Sequence, residues 1–236
     1  MQSSFKVILT REEEDIKRDK RLFEAEGFRV VELPLIKTVS LPAELPTQDY
    51  DYVVFQSQKA VKYFLERWKI SPKAKVIAVG EKTAELLRKL GYEVFKVPEK
   101  QSVEGLIETF KNLPKGGVLI PKSKIGKREL LDFLQRSGFK VYELDLYTTE
   151  PIIYPKEEFI AKLGEGDFIL FYSPSAVSAF FANLQKHKVA LKDISLRFVA
   201  VGETTKVTLT SEGVKEVLTP EKPSTEAVIK LLKSLA

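Results

Sequence analysis

Seven short apolar runs, Phe5–Leu9, Val30–Leu33, Tyr52–Phe55, Val76–Val79, Val118–Ile120, Phe168–Phe171 and Phe198–Val201, punctuate the chain, each bounded by turn-forming or charged residues. Continuous apolar runs of this length predict strands buried on both faces of a parallel sheet. Between them, residues 58–67, 81–90, 102–111, 128–137, 174–186, 203–212 and 224–235 carry apolar positions at helical spacing. Ser57, Ser102, Ser173 and Ser224 stand where such helices begin, as expected of N-caps whose hydroxyl accepts an orphan backbone N–H.

The pattern also repeats. Residues 76–111 align without a gap on 198–233, with 14 identities in 36 positions, where chance gives roughly two or three. Just upstream, Asp51–Ser57 matches Asp167–Ser173 and Ala60-Val61 matches Ala176-Val177. A second pair aligns 7–38 on 118–149, with Gly27-Phe28 on Gly138-Phe139 and Thr38 on Thr149. The chain therefore reads A, B, A, B, with A a β-α-β segment and B a β-α-β-α-β-α segment. One A and one B make a five-stranded, doubly wound sheet.

Two assemblies satisfy this reading: tandem pairs, or one pair nested inside the other. The connection 112–117 is short, as within a domain, whereas the gaps 39–50 and 150–166 are longer and carry Pro42, Pro46, Pro151 and Pro155. These lengths favour nesting: a discontinuous α/β domain from 1–37 plus 151–236, an inserted domain from 42–146, hinge segments at 38–41 and 147–150, and a cleft between the domains. The fold class expected is two flavodoxin-like α/β domains, each with a parallel five-stranded sheet.

Composition narrows the chemistry. With no Cys in 236 residues, thiolate nucleophiles, Cys-ligated zinc, iron–sulfur sites and disulfides are excluded. A single His, His187, excludes a His-rich metal centre and most catalytic triads. No apolar run approaches the ~20 residues of a membrane span, and the opening MQSSFKVILTREEED is a poor signal peptide. The expectation is a cytoplasmic monomer with no membrane partner. Lys and Arg total 38 against 33 Asp and Glu, a formal +5 with both signs interspersed. Only 122–128 (KSKIGKR) concentrates basic residues, so an anionic small molecule suits the balance at least as well as nucleic acid.

Ligands of open α/β sheets bind beyond the carboxyl ends of the strands, where helix N-termini offer free N–H groups and a positive dipole end. The matching turns are Gln56-Ser57-Gln58-Lys59, Gly80-Glu81-Lys82-Thr83, Tyr172-Ser173-Pro174-Ser175 and Gly202-Glu203-Thr204-Thr205. No GxGxxG, GxxxxGK[ST] or GxSxG pattern occurs, although 123–128 imitates the tail of a phosphate loop. Glu12-Glu13-Glu14 reads as a solvated helix start, His187 as a surface helix end, and Trp68, Phe171, Phe180 and Phe181 as core. Tyr147 differs from its counterpart in the first copy, Ile36. A phenol, ordinarily protonated up to a pH near 10, can donate to a leaving oxygen.

Taken together, Phe171–Val177 (FYSPSAV), Val201–Thr205 (VGETT), Phe55-Gln-Ser57, Val79–Ala84 (VGEKTA), Leu146–Thr149 (LYTT), Leu9-Thr-Arg11 and the Gly27-Phe28 turn resemble uroporphyrinogen-III synthases over the whole chain. The resemblance implies the nested two-domain fold and a lyase reaction without cofactor or metal. In that reaction the linear hydroxymethylbilane loses water, ring D inverts through an azafulvene and a spiro-pyrrolenine, and the macrocycle closes as uroporphyrinogen III. By the same resemblance Tyr147 is the general acid. Ser57, Thr83, Ser173, Ser175, Thr204 and Thr205 become carboxylate-binding candidates, with Lys122, Arg128 and Arg197 as electrostatic support. A transient contact with hydroxymethylbilane synthase is also implied. In two places the chain departs from the family pattern: Gln58 rather than Pro follows Ser57, and Lys122 stands where Arg is common, which removes bidentate carboxylate binding there. The rival reading is a non-catalytic two-domain sensor of an anionic small molecule; a phosphosugar enzyme is a third.

Overall fold

The structure, a computed structural model, describes residues 5–235. Residues 1–4, at the head of the stretch read for a leader, lie outside the described residues. The chain opens with β1 (Lys6–Leu9), α1 (Glu13–Ala25), β2 (Arg29–Glu32) and β3 (Ile36–Ser40). It continues with β4 (Tyr52–Phe55), α2 (Gln58–Leu65), β5 (Lys75–Ala78), α3 (Glu81–Lys89), α4 (Val103–Lys111), β6 (Gly117–Ser123), α5 (Glu129–Arg136) and β7 (Lys140–Pro151). The last part holds α6 (Lys156–Gly164), β8 (Phe168–Phe171), α7 (Pro174–His187), β9 (Arg197–Ala200), α8 (Glu203–Ser211), β10 (Val217–Leu218) and α9 (Thr225–Lys233). Two compact units result, one from the residues up to Thr38 with those from Thr149 onward, the other from Val39–Thr148.

In the first unit the strand order is β10-β9-β8-β1-β2, and every neighbouring pair is parallel. Its strands thus come from both ends of the chain. The second unit has the order β3-β7-β6-β4-β5, with β4 to β7 parallel. Successive side chains of a strand point to opposite faces, and both faces are covered in each unit. Ile8 packs into one core of the first unit, whereas Val7 and Leu9 pack into the other. Val53 and Phe55 likewise enter one core of the second unit, Tyr52 and Val54 the other. That double coverage is why the strands read as unbroken apolar runs.

The sequence repeat is a repeat of register. Lys6 faces Arg29 across β1 and β2 as Gly117 faces Lys140 across β6 and β7. Asp167 accepts the Lys6 N–H at 2.8 Å, and its counterpart Asp51 accepts the Gly117 N–H at 2.8 Å. All four expected serine caps form. Ser57, Ser102, Ser173 and Ser224 accept the N–H three residues on at 3.1, 3.3, 3.3 and 3.1 Å, each bond contributing about 1 kcal/mol. After α1 and α5 the chain reverses through Gly27 and Gly138, at φ +87° and +83°, where a Cβ would be strained.

Four features differ from the sequence expectation. β3 forms in a stretch read as a hinge, and β7 runs on through Pro151. The two strands are neighbours, and at their ends Leu41 donates to Leu146 O at 2.9 Å and Ile152 to Leu35 O at 2.8 Å; backbone pairing of this kind needs no apolar run to announce it. Helix α6 fills part of the gap 150–166, burying Phe159 and Leu163 behind Pro155. The third strand of segment B appears as β10 in the first unit but only as a single Ile77–Lys96 bridge in the second. Phe171 and Phe180 are fully buried, and Phe181 and Trp68 pack against the cores. Glu13 and Glu14 are exposed partners of Lys17, and His187 ends α7 with Nε2 2.8 Å from Tyr154 O. Among the described residues no helix is long and apolar enough to cross a membrane.

Candidate active site

In the second unit β4 and β6 are neighbours whose onward connections leave in opposite directions along the sheet, toward β5 and β7. Such a switch point leaves a crevice beyond the strand ends. Here Gln56 and Ser57 follow β4, Lys122 and Ser123 end β6, and Tyr147 comes from β7; with Ala60, Val103, Pro121, Gly126 and Lys127 they line a pocket of about 250 Å³. Larger hollows of about 450 and 500 Å³ flank Phe95, but their walls hold none of the sequence-predicted site residues.

A bulge aims Tyr147. The register of β6 against β7 slips after Lys122, which faces Asp145, so that Ser123 faces Tyr147. The extra residue turns Leu146 and Tyr147 toward the same core, although neighbours on a regular strand face opposite ways. Lys124 N–H fixes the bulge by donating to Tyr147 O at 2.8 Å. Tyr147 is 93% buried, and its hydroxyl lies 3.3 Å from Ser57 Oγ. That Oγ already accepts the Ala60 N–H as the cap of α2, which leaves its own proton and second lone pair for the phenol. One face of α2 supplies two further contacts. The Tyr63 ring stacks on Tyr147 at 4.8 Å with an interplanar angle of 29°, and Lys59 Nζ lies 5.9 Å from the Tyr147 ring centre.

Lys122 is 94% buried, and its Nζ donates to Asp145 at 2.9 Å and Ser123 O at 3.0 Å, with Glu143 at 3.1 Å. Arg128, the more exposed residue preceding α5, donates to the same Glu143 at 2.7 Å. Two cations therefore meet two carboxylates, and this wall of the pocket is close to neutral. Thr83 sits buried in the first turn of α3, and the N–H of Glu81, at the start of that helix, is held by Gln101 Oε1 at 2.9 Å.

The first unit has its own switch point, between β1 and β8. Arg11 follows β1; its guanidinium lies 4.3 Å over the Tyr172 ring and donates to Asp19 at 2.7 Å, with Asp15 at 3.5 Å. Asp19 is 98% buried. Tyr172 Oη pairs with Thr225 Oγ1 at 2.9 Å, and burial pushes this phenol up to about 12. Ser173 and Ser175 occupy the start of α7; Thr204, exposed, and Thr205, buried, occupy the first turn of α8. Arg197 is not brought to these turns. It begins β9, so it stands at the opposite end of that strand from Gly202, with its guanidinium over Phe168.

Of the predicted residues, the structure thus gathers Ser57, Lys122 and Tyr147 around one pocket, with Arg128 behind it. Thr83, Ser173, Ser175, Thr204 and Thr205 line the beginnings of helices in their own units. The Tyr63 and Lys59 contacts were missed; their signal is the four-residue spacing that places both on one face of a helix capped by Ser57. Among the described residues no group of three or more His, Cys, Asp or Glu could hold a metal ion.

Comparison with known proteins fits this geometry. The family model described as "Uroporphyrinogen-III synthase HemD" matches residues 17–230. A chloroplastic uroporphyrinogen-III synthase of Oryza sativa subsp. japonica is 25% identical, covering 97% of this chain and 81% of that protein. The crystal structure of uroporphyrinogen-III synthetase from Helicobacter pylori 26695 matches the fold with a TM-score of 0.69 at 23% identity, covering 98% of this chain and all of that one. A mutant uroporphyrinogen III synthase from the extremely thermophilic bacterium Thermus thermophilus matches with a TM-score of 0.62 at 21% identity, covering 98% and 99%. Since the family model matches residues 17–230, nearly the whole chain, the chain belongs to the uroporphyrinogen-III synthase family.

Proposed function

We propose that this chain cyclises hydroxymethylbilane to uroporphyrinogen III in tetrapyrrole biosynthesis, with Tyr147 as the acid that releases the substrate hydroxyl. The observation that carries the assignment is the Tyr147 hydroxyl itself: aimed by a strand bulge, 3.3 Å from a capping serine, in the wall of a strand-end pocket. The phenol gives its proton to the departing hydroxyl, which leaves as water, and the proton released on macrocycle closure balances the one spent. The hydroxyls of Ser57 and Thr83 in one unit, and of Ser173, Ser175, Thr204 and Thr205 in the other, each lie at a helix N-terminus, where the positive end of the dipole favours carboxylates. Lys122 and Arg128, matched by Glu143 and Asp145, hold the pocket wall rather than add net charge to it. The reaction on this reading needs neither metal nor cofactor, since the protein supplies an acid and enforces the folding of a flexible chain. The enzyme works as a cytoplasmic monomer and meets hydroxymethylbilane synthase only transiently.

Freshly prepared hydroxymethylbilane, incubated with the protein, oxidised and separated by isomer, tests the assignment. Type III uroporphyrin formed in proportion to protein is the expected result; type I alone leaves only a binder of anionic ligands. Tyr147→Phe is expected to slow type III formation by about 10²–10³-fold with KM nearly unchanged. Unaltered turnover in that variant removes Tyr147 from the chemistry.

A further inference from the structure

We infer that Tyr63 is a positioning residue for the reaction, holding the Tyr147 phenol at its working angle through ring stacking. This rests on the reading of Tyr147 as the acid. The Tyr147 hydroxyl has a single long contact to Ser57 Oγ, and one hydrogen bond of 3.3 Å fixes neither the tilt nor the rotation of a ring. At the bulge Tyr147 leaves the regular ladder, so strand pairing alone does not set the tilt of its ring. The Tyr63 ring closes this freedom: it lies 4.8 Å from the Tyr147 ring and within 29° of parallel, an offset stack that resists rotation out of plane.

Helix geometry makes the contact stiff. Ser57 caps α2, and Tyr63 lies in the second turn of the same helix, so the hydroxyl partner and the ring partner of Tyr147 are set by one rigid element. Besides the Lys59 ammonium 5.9 Å from its ring centre, the phenol is held by a backbone bond from Lys124 to its own carbonyl, a hydroxyl at its tip and a ring on its face. Tyr63 itself touches no reacting atom in this scheme. What it supplies is orientation, and a small misplacement of an acid costs rate rather than affinity.

The prediction separates ring from hydroxyl. Tyr63→Phe keeps the stack and is expected to keep turnover within about twofold of wild type. Tyr63→Leu and Tyr63→Met remove it and are expected to lower kcat by about five- to tenfold with KM unchanged, while more product closes to the type I isomer. Because the effect acts through the Tyr147 hydroxyl, Tyr63→Leu should add almost nothing in a Tyr147→Phe background. The cycle is read on the whole protein by isomer-resolved product analysis, with thermal unfolding of each variant alongside; Tyr63→Met replaces Tyr63→Leu if the latter fails to fold. Full turnover in both apolar variants, or a loss that is additive with Tyr147→Phe, overturns the positioning role while leaving Tyr147 as the acid. Wild-type turnover in Tyr147→Phe alone overturns both.

Discussion

The two units are built on one plan, yet they treat equivalent strand ends in different ways. Arg11 and Lys122 occupy matching places in the repeat, Arg11 just past β1 and Lys122 near the end of β6, where that strand pairs with β7. In the first unit Arg11 lies over Tyr172 and binds the buried Asp19, and the Tyr172 and Thr225 hydroxyls pair, so the polar groups satisfy one another. In the second unit the place of Tyr172 is taken by Gln56, and the place of Ile36 by Tyr147, whose hydroxyl opens on a pocket. Duplication has kept registers, caps and turns. The chemistry rests on single replacements at strand ends, and a closed polar cluster on one side is a frame while an open one on the other is a site.

If the first cluster is a frame, breaking it costs stability. Asp19→Ala leaves Arg11 with the longer contact to Asp15 as its ion pair and the Tyr172 ring beneath it, and should cost about 2–3 kcal/mol, somewhat below the range for fully buried pairs because Arg11 is 23% exposed. The corresponding change in the second unit, Asp145→Ala, removes a 40% exposed partner and leaves Glu143 on Lys122, so it should cost under about 1 kcal/mol. Hydrogen exchange of the β1 and β8 amides against those of β4 and β6 reads each unit by itself. Equal losses in the two units would break the distinction.

Alkaline pH probes the same cluster. Tyr172 is held up to about 12, chiefly by burial, whereas in the unfolded chain it ionises near 10. Between those values the unfolded chain has released a proton that the folded one retains, so unfolding releases a proton and rising pH favours it. Below pH 10 this contribution is fully present and flat; across the window it falls by about 2 kcal/mol. Tyr154, held by Pro34 O at 2.6 Å, is pushed up to about 12 by burial as well, and Tyr50 and Tyr52 move the same way in the second unit. The decisive measurement is therefore the variant: Tyr172→Phe should show a shallower decline of first-unit protection between pH 10 and 12 than the parent. An unchanged slope would mean that the phenol is not sealed in the cluster.

How far these differences could be read beforehand depends on their physics. Strand runs, serine caps and the repeat were legible because each is a local pattern set by periodicity or by one side chain and its own helix, as with Ser57 and Ala60. The pairing of β3 with β7 was not, because its stability comes from backbone bonds between segments about a hundred residues apart and leaves no apolar trace. Tyr147 could be singled out against Ile36 in the repeat, but its aim depends on a bulge, which no residue pattern in LDLYTT announces. The neutralisation of Lys122 was hidden for the opposite reason: Glu143 and Asp145 are visible in sequence, but only the pairing of β6 with β7 brings them to the lysine.

The smallest effect gives the finest comparison. Ser102 and Ser224 cap α4 and α9, the equivalent last helices of the two segments B, with bonds of 3.3 and 3.1 Å. On geometry alone each serine-to-alanine change should cost about 1 kcal/mol. The two first turns do different work, however. Thr225, next to Ser224, holds the Tyr172 hydroxyl, whereas Val103, next to Ser102, is an apolar residue lining the pocket. Fraying the start of α9 therefore loosens the polar cluster, and fraying the start of α4 releases only a hydrocarbon contact. Ser224→Ala should exceed Ser102→Ala by about 0.5–1 kcal/mol, the worth of one hydrogen bond, measured as lost protection in the helix and its neighbouring strands. That excess should vanish in a Tyr172→Phe background, since the bond it reports is then already gone, and an excess that persists would place the extra stability of α9 somewhere other than Tyr172.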